Sequence, residues 1–125
     1  PVSDEKTPTL ETCRNGWLIY KPGIKSFSEA QKKPILFTEY GYRSVDFSGK
    51  EPWQSDIAMN VVNLEAQSNT MQVLFEEFWN EDWFAGGFLW KWFHDYTRAG
   101  GEADSQFTPQ NKPAEIIIKS QYYKY

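Results

Sequence analysis

The sequence predicts an α/β fold in which helices alternate with parallel strands. Two observations predict it. Helical segments separate two short apolar runs rich in strand formers, and both runs have the composition of strands that are buried on both faces. Strands joined through helices pair in parallel by right-handed crossovers. The 125 residues allow one domain at most. Because two buried strands make a poor sheet by themselves, we expect residues 1–125 to be one segment of a larger domain.

A first helix is predicted over residues 8–32. Thr7 can cap its N-terminus, Pro8 suits the first helical position, and Glu11 suits the positive end of the helix dipole. Pro22, followed by a glycine, interrupts the segment, so we expect either a kink or two helical pieces there.

The first apolar run, residues 35–38, lies between a proline and a glycine and predicts a buried strand. Residues 43–59 have the composition of a long loop, and a loop of this length in a compact domain is usually functional. Apolar residues then recur at helical spacing and predict a second helix over about residues 60–80.

The second strand is predicted over residues 85–92. Its glycine pair, Gly86-Gly87, suggests a close approach of another backbone. Residues 94–108 form a second loop, rich in glycine and aspartate, and a last helix is predicted over residues 111–122.

Charge and length argue against two classes of protein. The sequence has 13 Lys and Arg residues against 17 Asp and Glu residues, a net charge of −4, and lacks the basic patch that a nucleic-acid binder needs. Its apolar stretches reach about five to seven residues, against roughly 20 for a transmembrane helix. Residues 1–5 lack the pattern of a secretory signal, so we expect that the protein does not use one or that the chain begins inside the gene product.

Cys13 is the only cysteine, which excludes an intramolecular disulfide framework and a cysteine-based zinc cluster. It lies in a helical stretch with no histidine nearby in sequence, so a structural role is favoured over a catalytic thiol. We expect no metal and no organic cofactor.

Aromatic residues make up 18% of the chain, with 6 Trp, 7 Tyr and 9 Phe. Such rings either pack a core of bulky side chains or stack against flat ligands, of which sugars are the obvious ones. An ordinary aromatic core is expected to account for at least about half of them.

Glu39 follows the first apolar run, where a carboxylate is costly unless it has a partner or a task. Strand alternation would place Ile35, Phe37 and Glu39 on one face. In a (β/α)8 barrel this end of a strand faces the active site, so Glu39 is a candidate catalytic residue. The alternative is a structural ion pair with Arg43 or Lys91.

Trp90 and Trp92 end the second strand with the same parity, so both are predicted to point towards the mouth of such a site. There they would stack under a sugar ring, and plugging the barrel top is the alternative. Lys91 should point away. The single histidine, His94, lies beside Asp95 and is interpreted as a surface-loop residue, with acid or base catalysis as the alternative.

Three segments together resemble the C-terminal part of bacterial (β/α)8 glycoside hydrolases. They are residues 34–44 (PILFTEYGYRS), 86–93 (GGFLWKWF) and 107–115 (FTPQNKPAE). The chain most resembles glycoside hydrolase family 113, the β-mannanase-like enzymes of clan A, and the resemblance extends from Thr7 onward.

The resemblance implies a partial (β/α)8 TIM barrel in which residues 35–39 are the seventh strand and residues 85–90 the eighth. It implies that Glu39 is the nucleophile of a retaining β-glycosidase and that Trp90 lies under the sugar at the cleavage point. Trp92 is a further candidate for substrate binding.

Tyr42 and Arg43 come directly after the implied nucleophile and would line the cleft. The family's general acid/base follows the fourth strand, to which nothing in this chain corresponds. The loop acids Asp46, Glu51 and Asp56 could approach the site, but a solvated loop position is the default for each.

The chain is therefore expected to be the C-terminal segment of an enzyme that hydrolyses β-linked polysaccharide of the β-1,4-mannan type, and to be inactive alone. Its expected partners are an oligo- or polysaccharide and either the missing N-terminal part of the barrel or another copy. The parent enzyme would be secreted or periplasmic in a bacterium, because polysaccharides lie outside the cell. A non-catalytic carbohydrate-binding module and a barrel-derived interaction protein are the alternatives.

Overall fold

A computed structural model describes residues 1–54 and 61–124 of the chain. In these residues helices and strands alternate as predicted. The elements are α1 (Leu10–Gln31), β1 (Ile35–Tyr40), α2 (Leu64–Phe78), β2 (Phe84–Leu89) and α3 (Pro113–Tyr122), with a short 3-10 turn at Tyr96–Arg98. The predicted α/β class is confirmed.

Helix α1 begins two residues later than expected. Its N-cap is Thr9, whose Oγ1 accepts a hydrogen bond from the Thr12 backbone N–H at 3.1 Å. Thr7 is not the cap because its hydroxyl accepts a hydrogen bond from Asn63 Nδ2 at 2.7 Å instead. Pro22 lies inside the helix without dividing it, and Lys32 ends it in the left-handed conformation.

Strands β1 and β2 pair in parallel, and α2 provides the crossover between them. The pairing contains two irregularities. Ile35 pairs with Phe84 but Leu36 pairs with Gly86, so β2 has one extra residue there. The extra residue is on β1 further along, because Phe37 pairs with Gly87 while Tyr40 pairs with Leu89. Each extra residue reverses the side-chain alternation of its strand beyond that point.

The helices cover one face of this two-stranded sheet, with α2 packed between α1 and α3. Phe78 of α2 is fully buried at the centre of the core. Its ring centroid lies 4.9–6.0 Å from those of four aromatic neighbours: Trp17, Phe37, Trp83 and Phe84. Many of the aromatic residues therefore build the core, as the composition suggested.

Ion pairs fasten α1 to α2. Lys21 lies between two carboxylates, 3.2 Å from Glu77 Oε2 and 2.8 Å from Glu81 Oε1. Partial burial lowers the pKa of Lys21, but its hydrogen bonds to Glu81 and Glu77 outweigh this and leave the pKa above its ordinary value. The hydrogen bond from Lys21 lowers the pKa of Glu81. Both groups are therefore charged at neutral pH.

Among the helices of the described residues, none combines the length and the apolarity that crossing a membrane requires.

Candidate functional site

The sheet has one covered and one uncovered face. Ile35, Phe37 and Tyr40 of β1 pack against the helices. On the other side, large side chains are exposed: Leu36 by 48%, Phe88 by 64% and Trp90, just after β2, by 44%. We call this uncovered side, with Leu36, Thr38, Glu39, Phe88 and Trp90, the open face. These strands have the composition of strands that are buried on both faces. An exposed apolar surface on them therefore marks a place where a further layer of structure or a ligand binds.

Simple strand alternation gave the wrong face for Glu39. It placed Glu39 together with Ile35 and Phe37, which the structure packs against the helices. The extra residue between Phe37 and Tyr40 reverses the alternation, so that Tyr40 joins the core and Glu39 stays exposed. This bulge turns the carboxylate towards the open face.

The side chain of Glu39 is free of the ion pairs that the structural alternative requires. Among the described residues it makes no hydrogen bond and no ion pair with Arg43 or Lys91. Lys91 Nζ lies instead 5.1 Å from the ring centroid of Trp90 and 5.2 Å from that of Phe93, a cation–π arrangement.

Trp90 lies at the same edge of the sheet as Glu39. Its backbone N–H donates to the Tyr40 carbonyl at 2.7 Å, one residue beyond the carboxylate. Gly41 permits this approach, because a Cβ atom there would collide with the Trp90 carbonyl oxygen. Gly87 is a second position where the two strands approach closely, since a Cβ atom added there would lie 2.9 Å from the Tyr40 ring. Of the glycine pair, Gly87 therefore has the close approach predicted for it, whereas Gly86 faces open space and has instead a positive φ of 110°.

The other predicted substrate contacts lie elsewhere. Tyr42 is only 4% exposed, and burial raises the pKa of its hydroxyl well above the ordinary value. Arg43 is 3% exposed and donates from Nε to the Ser105 carbonyl at 3.1 Å. Trp92 borders a cavity with Ile118 and other residues of α3. Burial of Tyr42 and Arg43 does not favour contact of their side chains with a sugar. For Trp92, which is 50% exposed, such contact stays a prediction.

Neither the described loop acids nor the cysteine is placed for catalysis. Asp46 accepts from Asn63 Nδ2 at 2.8 Å, and Glu51 accepts from Gln54 at 3.0 Å. Asp56 lies outside the described residues. Burial raises the pKa of Cys13 to about 11, so the thiol is protonated and unreactive at neutral pH. The described residues contain no group of His, Cys, Asp and Glu side chains suited to a metal ion.

Three buried polar side chains, which the sequence analysis missed, fasten the loops that follow β1 and β2. Gln67 of α2 donates to the carbonyls of Tyr42 and Phe107, at 2.9 and 3.0 Å. Gln110 bonds the backbone of Phe93, and Lys112 lies 2.7 Å from Asp104 Oδ2. Gln67 lies on a helix that the sequence predicted, but nothing marked its amide as buried. Gln110 and Lys112 lie in a segment without periodicity, which only the resemblance of residues 107–115 to a known family marks.

Lys112 is the one charged side chain of these three, and it is only 4% exposed. Its Nζ donates to Ser44 Oγ and to the Gln106 carbonyl, both at 2.9 Å, and thereby joins the two loops. Burial lowers the pKa of Lys112, and the carboxylate of Asp104 opposes that shift. A buried ammonium with three oxygen partners fixes its surroundings because breaking any contact leaves the charge poorly solvated.

The fold and the site together define a class of protein. Parallel strands connected by a helix, with a carboxylate and a tryptophan at their C-terminal edge, are typical of a sector of a (β/α)8 barrel, a fold in which active sites lie at that edge. The sequence profile of Glycoside Hydrolase Family 113 matches residues 8–112. The chain belongs to glycoside hydrolase family 113, and its fold is a partial (β/α)8 barrel.

Solved structures agree with this assignment. Two structures described as GH113 β-1,4-mannanases, one of them a complex, superpose with TM-scores of 0.78 and 0.77 at 28% and 29% sequence identity. The GH113 β-mannanase AaManA from Alicyclobacillus acidocaldarius, in complex with ManMIm, gives 0.74 at 26%. Each match covers 90% of this chain and 36% of the mannanase chain. The chain therefore spans about a third of the length of these enzymes. No curated protein matches it.

Proposed function

We propose that residues 1–125 form the C-terminal segment of the catalytic barrel of a retaining β-1,4-mannan hydrolase, with Glu39 as the nucleophile. One observation carries the proposal: the bulge in β1 turns Glu39 to the open face, at the sheet edge that also holds Trp90. Family membership and the β-1,4-mannanase descriptions of the similar structures support the substrate class.

The proposed chemistry divides the work between two carboxyl groups. Glu39 attacks the anomeric carbon and forms a glycosyl–enzyme ester, while a second carboxylic acid protonates the leaving oxygen and then activates water. In retaining enzymes the two groups stand about 5–5.5 Å apart. We assign the second group to a strand outside this chain, because Asp46 and Glu51 are bonded elsewhere. Trp90 offers its ring to the sugar at the cleavage point.

An activated 2-deoxy-2-fluoro-mannoside tests the proposal in the protein that carries the whole barrel. The fluorine slows hydrolysis of the glycosyl–enzyme, so the label accumulates on the nucleophile. We expect peptide mass spectrometry to find it on Glu39 and to find none in the Glu39→Gln variant. A protein that binds mannan but takes up no label would be a carbohydrate-binding module. A label on another carboxylate would assign the nucleophile elsewhere.

The open face also predicts how the isolated chain behaves. Leu36 and Phe88 are exposed on strands whose outer edges have no partner strand among residues 1–54 and 61–124, and such surfaces associate with other strands. We expect sedimentation velocity at micromolar concentration to show association, and Phe88→Glu to shift the chain towards monomer. The control Ile19→Glu changes a residue of α1 that is even more exposed, 74% against 64%, and should have little effect. A monomeric wild-type chain that melts cooperatively would contradict this prediction.

A further inference from the structure

The geometry points to Gln110 as a positioning residue. It fixes the segment Trp90–Phe93 and thereby the ring of Trp90, on which the sugar is proposed to stack. The inference rests on the proposed function of Trp90, but it concerns a residue outside the reacting groups. It gives a role to a fully buried amide that bonds the backbone of a residue 17 positions away in the sequence.

Both ends of the Trp90–Phe93 segment are anchored. At its start, the Trp90 N–H donates to the Tyr40 carbonyl at 2.7 Å. At its end, the Phe93 N–H donates to Gln110 Oε1 at 2.6 Å, and Gln110 Nε2 donates to the Phe93 carbonyl at 2.9 Å. The side-chain amide thus pairs with Phe93 as a neighbouring strand would, at a point beyond the end of β2.

Gln110 itself has little freedom to move. The Thr108 hydroxyl donates to its Oε1 at 2.9 Å, and the Gly101 N–H donates to its carbonyl at 3.1 Å. Gly100 has a positive φ of 64°, and a Cβ there would collide with the Gln110 carbonyl oxygen. Because the amide is fully buried, losing it would leave two Phe93 groups without these partners.

The anchored end is linked to the tryptophan ring. Lys91 Nζ lies over both the Trp90 and the Phe93 rings, so a displacement of Phe93 is transmitted to the cation that contacts Trp90. Trp90 is 44% exposed and is not part of the hydrophobic core cluster of the described residues. Its orientation therefore depends on the backbone on either side.

Gln110→Met tests the inference, since methionine fills the same space and removes both hydrogen bonds. In the whole-barrel protein we expect KM for β-1,4-mannotetraose to rise about tenfold or more, while kcat changes by less than about threefold. The matched control is Thr70→Val, which removes a buried hydroxyl bonded to carbonyls of α2 only. It should leave both constants within about twofold. An unchanged KM in Gln110→Met would overturn the inference.

A spectroscopic signal separates this inference from the proposed function. In ¹⁵N-tryptophan-labelled protein, Gln110→Met should move or broaden the Trp90 indole resonance and leave those of Trp79 and Trp83 in place. If this occurs but Glu39 takes up no 2-fluoro label, the proposed function fails and the positioning role stands. If Glu39 is labelled and the Trp90 resonance is unmoved, the function stands and the role of Gln110 is refuted.

Discussion

Replacing Glu39 by glutamine is expected to lower kcat on β-1,4-mannan by on the order of 10³-fold or more in the protein that carries the whole barrel. The amide has nearly the same shape but lacks the charge needed to attack the anomeric carbon. KM should change little by comparison. The stability of the isolated chain should hardly change, because its Glu39 side chain is exposed and makes no hydrogen bond among the described residues. Steady-state hydrolysis and thermal melting measure the two effects.

The matched control is Glu102→Gln, an exposed glutamate on the loop after β2, which should retain full activity. A second variant tests the role more sharply. In Glu39→Ala, azide and an activated mannoside should give the α-mannosyl azide, because azide enters from the side that the carboxylate vacates. Full activity of Glu39→Gln, or a product of β configuration, would show that Glu39 is not the nucleophile.

Replacing Phe78 by alanine is expected to destabilise the chain by about 3–5 kcal/mol. Phe78 is fully buried and contacts rings from α1, β1 and β2, so its removal opens a cavity at the point where these elements meet. Urea unfolding followed by tryptophan fluorescence measures the loss, with wild type and variant at the same protein concentration because the chain is expected to associate.

Phe27→Ala is the control for this prediction. It makes the same chemical change on α1 at a residue that is 61% exposed, and we expect a change within about 0.5 kcal/mol. Equal effects of the two substitutions would mean that the aromatic contacts of Phe78 do not hold the chain together.

The nature of each element followed from local chemistry. The spacing of apolar residues marked α2, and the strand formers before Glu39 marked β1, because these patterns reflect which side chains can be buried on one element. The boundaries were less accurate. Thr9 rather than Thr7 caps α1, since Thr7 is engaged by Asn63 from a distant part of the chain.

For the candidate site, too, some features followed from the sequence and others only from the tertiary structure. The sequence by itself determined the α/β class, the family resemblance and the candidate nucleophile, because these depend on residue types and their order along the chain. Only the tertiary structure decided that Glu39 faces away from the helices, since a single extra residue in one of two paired strands reverses every side chain beyond it. The roles of Gln110 and Lys112 also required the fold, because Phe93 lies 17 residues from Gln110, Ser44 lies 68 residues from Lys112, and no local pattern links either pair.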